Sequence, residues 1–297
     1  MVFDRLGDEL GLGLAHICLK EVASMSGRLA MMATESQLAA DHLIRAGRNR
    51  LAQMYTSGTL LVMVVGEHPA SQGLVQGQRV AATADARVPR LNAWIAVAFY
   101  AALLGNIEEE RRSREHAEQL EAELRTSDAA ATLTGYVGFA ALVCGKAAEA
   151  AGLLARTCAV RQATGDVAIL STDAAHYAHA LLLSGDHDKG RQQVNLALEV
   201  GSTDDVLTQV LARSALAWVA AAEGEDRATV RRHMADALAA LEPTELVMDR
   251  ALVHAACAEA AGLLGDGTTA RHHRRCAIDL YDAKENVVGA AFQRGFL

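Results

Sequence analysis

The chain has 297 residues, of which 51% are hydrophobic and 4% aromatic, with only 3 prolines and a formal net charge of −8. This composition excludes a disordered chain, which needs low hydrophobicity and high charge, and it disfavours a sheet-rich fold, which selects β-branched and aromatic residues. The acidic total argues against a nucleic-acid binder, because phosphates require a basic surface.

In chain order, apolar helical runs end repeatedly on a glycine followed by a polar residue. These pairs are Gly27-Arg28, Gly66-Glu67, Gly105-Asn106, Gly145-Lys146, Gly185-Asp186, Gly224-Glu225 and Gly265-Asp266, spaced by 39 to 41 residues. A second series of helix breakers and N-caps falls half a period away, at Gly7-Asp8, Gly47-Arg48, Val88-Pro89, Thr126-Ser127, Gly165-Asp166, Ser202-Thr203, Pro243-Thr244 and Lys284-Glu285. Two turns per period leave two helices per unit, a helical hairpin.

The expected units cover about 8–46, 47–86, 90–125, 128–164, 166–201, 204–242 and 244–283, followed by an apolar terminal helix over 286–297. Small residues recur seven positions before the turn glycine, at Ala98, Gly138, Ala178, Ala217 and Ala258, where they let neighbouring helices approach closely. The pattern predicts an all-α fold over 1–297: a single tetratricopeptide-like, right-handed superhelix of about seven hairpins, each burying its apolar face against its neighbours. The early units fit the pattern less well. Thr56-Ser57-Gly58-Thr59 interrupts one helix, and His68-Pro69-Ala70-Ser71 lengthens the turn that follows.

Two segments, Asp204 to Arg213 and Leu280 to Ala291, with Gly7-Asp8-Glu9 at the start, resemble the tetratricopeptide-like C-terminal region of large bacterial cyclase–ATPase–repeat regulators. The resemblance implies a sensory or protein-binding role in signalling or transcriptional control. It also implies a nucleotide cyclase or P-loop ATPase module as an upstream partner, and neither is encoded in these residues.

Catalytic motifs are missing. Gly138 to Ala147 approaches a phosphate loop, but six residues separate its glycines and Ala147 lacks the hydroxyl that would hold magnesium. A non-enzymatic protein without cofactor is therefore expected. His254, Cys257, His273 and Cys276 carry zinc-ligand chemistry without zinc-ligand spacing, and the plainer reading makes Cys257 a core residue. The basic runs Arg111 to Arg114 and Arg271 to Arg275 read as solvated faces, the first being interleaved with glutamates. Neither suggests direct nucleic-acid binding. Five cysteines without a CxxC pair, no signal peptide and no long apolar run point to a reducing, cytoplasmic setting away from membranes.

One register stands out. Phe99, Phe139, His179 and Trp218 each lie six residues before a turn glycine, with Asn92, Thr132 and Thr172 thirteen before it, two turns earlier on the same face. In a tetratricopeptide array this register faces the concave groove, so the expected ligand is a protein or peptide segment seated on an aromatic ladder. The competing reading packs these rings between hairpins as core. A second functional reading is a homodimer, formed through the terminal helix or the apolar Leu60–Val65 stretch.

Overall fold

The computed structural model describes residues 2–297, and those residues are all-α. A short α1 (Val2–Leu6) precedes α2 (Glu9–Met25) and α3 (Leu29–Arg45), then α4 (Asn49–Met63) and α5 (Ala70–Thr83). Next come α6 (Arg87–Leu103), α7 (Ile107–Leu124), α8 (Ser127–Val143), α9 (Ala147–Thr164), α10 (Val167–Leu183) and α11 (His187–Val200). The last third holds α12 (Val206–Ala222), α13 (Arg227–Leu241), α14 (Val247–Leu263), α15 (Gly267–Lys284) and α16 (Val287–Arg294). None of these helices is long and apolar enough to cross a membrane.

Local chemistry explains the punctuation. Six turn glycines (27, 105, 145, 185, 224 and 265) adopt positive φ. After each, the next amide reaches back five residues, as in Asn106 N–H to Ala101 O and Lys146 N–H to Ala141 O, the bond that closes a helix on a left-handed residue. The helix starts are capped by side chains: Asp8, Asn106, Thr126, Asp186, Asp205, Asp226, Asp266 and Asn286 each accept from a first-turn amide.

Gly66 departs from the rule, for its φ is not positive. The chain instead crosses from α4 to α5 through a longer loop around His68-Pro69, since Pro69 supplies no amide for a tight turn. That loop lets α4 and α5 splay. Consequently α5 packs mainly on α6, and α4 lies between α3 and α6.

The two helices of a unit have different fates. From α6 onward the first helices (α6, α8, α10, α12 and α14) are buried on nearly every side, and the second helices on one face only. A helix apolar all round demands cover on all sides. Its cover comes from the hairpin partner, from the neighbouring first helices, and from the end of the chain.

The array coils until its last elements lie against the turns of its first four hairpins. Glu245 N–H donates to Gly27 O (2.9 Å) and Met248 N–H to Val65 O (3.0 Å). Ala30 N–H is capped by the Glu245 carboxylate (2.7 Å) and Ser71 N–H by that of Glu285 (2.8 Å). The buried Lys284 ammonium donates to Gly66 O (2.7 Å) and Met63 O (3.2 Å), 5.4 Å from the Tyr100 ring centre. At the third and fourth turns, Val288 approaches Gly105, and the Phe292 ring sits where a Cβ on Gly145 would lie. The expected open inner trough is therefore corrected: the chain's own C-terminal helices fill it. The same closure buries Leu60, Leu61, Val64 and Val65 inside the main core, which removes that stretch as a surface between copies.

Candidate functional site

The aromatic register lies inside the closed coil. Phe99 and Phe139 touch with ring centres 5.6 Å apart, and Phe139 stacks on His176 at 4.3 Å. Phe99, Phe139, His179 and Trp218 are all buried. Around His179 and Trp218 only a small cavity of about 20 Å³ remains, closed by Leu252, Tyr281, Phe292 and Gln293. Phe99 touches Phe139, while α14 to α16 close the space at His179 and Trp218, and none of the four offers a free surface. The competing core reading describes their packing.

The flanking polar positions divide. Asn92 is buried and donates to Ser57 Oγ (3.2 Å), inside the polar seam beside the splayed second unit. Thr172 is half-buried and shares a hydrogen bond with Thr208 (2.9 Å), tying α10 to α12. Thr132 is also half-buried, and no side-chain hydrogen bond ties it to a neighbour. These three do not converge with the rings on one ligand position.

Titratable groups gather on the inner face instead. His176 Nε2 lies 3.2 Å from Asp249 Oδ1, and Asp249 is fully buried with its other oxygen unpartnered. One turn before His176, Asp173 has its carboxyl pushed up to about 6 by burial, against the pull of His176 and of Arg161, whose Nε is 3.5 Å away. His179 donates from Nε2 to Leu211 O (3.0 Å), and burial drives its imidazole down to about 4, so the ring is neutral. The larger cavities are lined by other residues. This cluster bridges α10 to α14 and α12.

The His/Cys group of the last hairpin does not converge either. His254 Nδ1 and His273 Nδ1 meet at 3.0 Å, one donating to the other, and burial holds His254 at about 4. Cys257 is fully buried, its thiol pushed up to about 12, while Cys276 sits by His272 at 3.8 Å. Among the described residues no three His, Cys, Asp or Glu side chains are arranged to hold a metal ion.

The arginines of the first basic run are engaged, and in the second Arg274 is. Arg111 pairs with Glu108 (3.0 Å) and Glu115 (2.6 Å), Arg112 with Glu109, and Arg114 with Glu118 (3.1 Å) and Glu149 (3.2 Å). Arg274 is buried between Glu259 (2.8 Å) and Gln293 (3.2 Å), and stacks on Phe296 at 4.7 Å. Its role is to fasten α16 to α15.

What sequence reasoning missed is the opening at the splayed second unit. A cleft of about 940 Å³ lies between the start of α4, the α5–α6 loop and the end of α7. A second, of about 430 Å³, lies between α3, α4 and α5, and the two share Gln53 and Pro89. The Pro69 loop was its visible signal; the expected interruption at Thr56–Thr59 is corrected, since α4 runs unbroken through those residues. No protein-family model matches the sequence, and no curated protein matches it either.

Proposed function

We propose that this chain is a non-enzymatic interaction module whose inner trough accepts a partner helix, and that its own α16 occupies that trough in the resting molecule. One observation carries the reading: α16 crosses the turns of neighbouring hairpins through a handful of side chains. Asn286 donates to Val143 O (3.1 Å), Phe292 covers Gly145, and Gln293 meets Arg274. Such a short amphipathic helix seated by a few anchors is how helix-in-groove partners bind.

A foreign helix with an aromatic anchor and small residues, like Gly289-Ala290-Ala291-Phe292, could replace it by competition. A sensory role in a bacterial signalling or transcriptional regulator, with a cyclase or ATPase module as neighbour, rests on the family resemblance alone. The test uses a labelled peptide of residues 285–297 as probe. It should bind a Phe292→Asp variant at least about tenfold tighter than wild type, since the resident helix competes only in the latter. Equal binding to both proteins, or to neither while the variant keeps its helicity, refutes the reading.

Self-association has one supporting observation, at a different place from the two the sequence suggested. Leu14, Val22 and Met25 form an exposed apolar stripe along α2, on the first hairpin. Exposed apolar patches of this kind mark interaction surfaces.

A further inference from the structure

The opening beside the splayed second unit has the chemistry of a ligand site. Its volume, about 940 Å³, falls in the range of small-molecule pockets. The lining is out of character for an acidic protein: Arg50, Arg87 and Arg90 face it, against Asp85 and Glu123. Arg87 is held by Glu123 (2.9 Å), but Arg50 and Arg90 are exposed, and among the described residues neither guanidinium has a carboxylate partner. Unpaired exposed arginines also stand elsewhere on this surface, Arg79 and Arg156 among them, but Arg50 and Arg90 open onto one cleft.

The wall of the cleft is aromatic. Trp94 stacks on His116 with ring centres 4.6 Å apart, and His116 is fixed from outside by a hydrogen bond between its Nδ1 and Arg112 O (2.7 Å). In this tautomer Nδ1–H donates to the carbonyl, leaving Nε2 free to accept. The indole Nε1–H of Trp94 is withdrawn from solvent and has no acceptor. That N–H is closed off from the cleft, so the wall offers aromatic surface rather than a hydrogen-bond donor.

We propose that this cleft binds a small, multiply charged oxyanion, carboxylate or phosphate, clamped by Arg50 and Arg90 with the Trp94 wall beside it. Guanidinium forks match the paired oxygens of both groups, and charge-assisted bonds of this kind are the strong ones. Asn49 and Gln53, also on the lining, can donate further hydrogen bonds to oxygen. Asp85 and Glu123 work against a third charge contact, so two free arginines set the selectivity.

The clamp lies apart from the α16 trough and does not depend on it. Its test is calorimetric titration of the whole protein with pyrophosphate and, separately, with citrate, at ionic strength matched by sodium chloride. Saturable binding with a midpoint below about 1 mM is expected for at least one anion, and the tighter of the two assigns the group as phosphate or carboxylate. An Arg50→Gln/Arg90→Gln double variant should lose about tenfold or more in affinity, with its thermal transition unchanged because both side chains are exposed. Trp94 fluorescence should shift on saturation and stay silent in a Trp94→Phe variant that still binds. The proposal is overturned if neither anion gives saturable heat up to about 10 mM, if chloride reproduces the response, or if the double variant binds as wild type does.

Discussion

Asn286→Ala perturbs the contact on which the closure of the coil turns. Asn286 is fully buried and does two jobs: its Oδ1 accepts from Gly289 N–H (2.9 Å), capping α16, and its Nδ2 donates to Val143 O (3.1 Å) at the end of α8. Losing the cap costs about 1 kcal/mol. Leaving the Val143 carbonyl buried without a donor costs a further 1–3 kcal/mol or so. The α16 seat should therefore weaken by about 2–4 kcal/mol, and amide hydrogen exchange over Ala290–Gln293 should accelerate roughly 30- to 700-fold. Asn286→Ser keeps a capping oxygen and loses only the reach to Val143, so its acceleration should be smaller. An acceleration below about threefold for Asn286→Ala, or equal effects from the two variants, refutes the assignment of that seat to this side chain.

Three further outcomes follow from the same geometry. Gly145→Ala should destabilise by about 2–4 kcal/mol in urea unfolding, because it combines left-handed strain with a Cβ placed in the Phe292 ring; Gly224→Ala, with similar φ and open space around it, should cost only about 1–2. Lys284 is pushed down to about 7 by burial, so between pH 7 and 9 the unfolded chain binds more protons than the folded one and stability should rise with pH, by at most about 1.4 kcal/mol per unit. Above pH 9 the buried thiols of Cys144, Cys158 and Cys257, pushed up to about 12, act in the opposite sense; Lys284→Met should flatten the rise while leaving the alkaline decline. If copies associate through the first hairpin, Val22→Glu should return light scattering to the monomer mass, whereas Phe292→Asp should not.

The repeat was legible because its punctuation is local chemistry. A left-handed glycine ends every first helix except α4, and an Asp, Asn or Thr often starts the next, so Gly105-Asn106 or Gly265-Asp266 can be read without knowing any tertiary contact. The closure was harder to read, because it depends on contacts such as Lys284 to Gly66 O, more than two hundred residues apart. A signal was nevertheless present. The segment Thr132 to Val143 is apolar on all sides of its helix, and a helix lining an open groove would keep one face polar. For the same reason the shared register of Phe139 and Trp218 could be read while groove and core both stayed open as their environment. Trp218 borders a small space closed by Tyr281 and Phe292, from a part of the chain that periodicity treats as merely terminal. The cleft escaped notice because irregular segments carry no period, yet the loop at Pro69 is what separates α4 from α5.

The most direct test of the closed coil is the exchange rate of four amides: Ala30, Ser71, Glu245 and Met248. All four lie at or before the first turn of a helix, where an amide has no partner within its own helix. Here each is bonded to a group in the opposite half of the chain. Closure predicts that all four exchange far more slowly than free peptide amides, and that Asn286→Ala or Lys284→Met speeds them together. Exchange at free-peptide rates in the wild-type protein, with the helix interiors still protected, contradicts the closure and leaves the trough open.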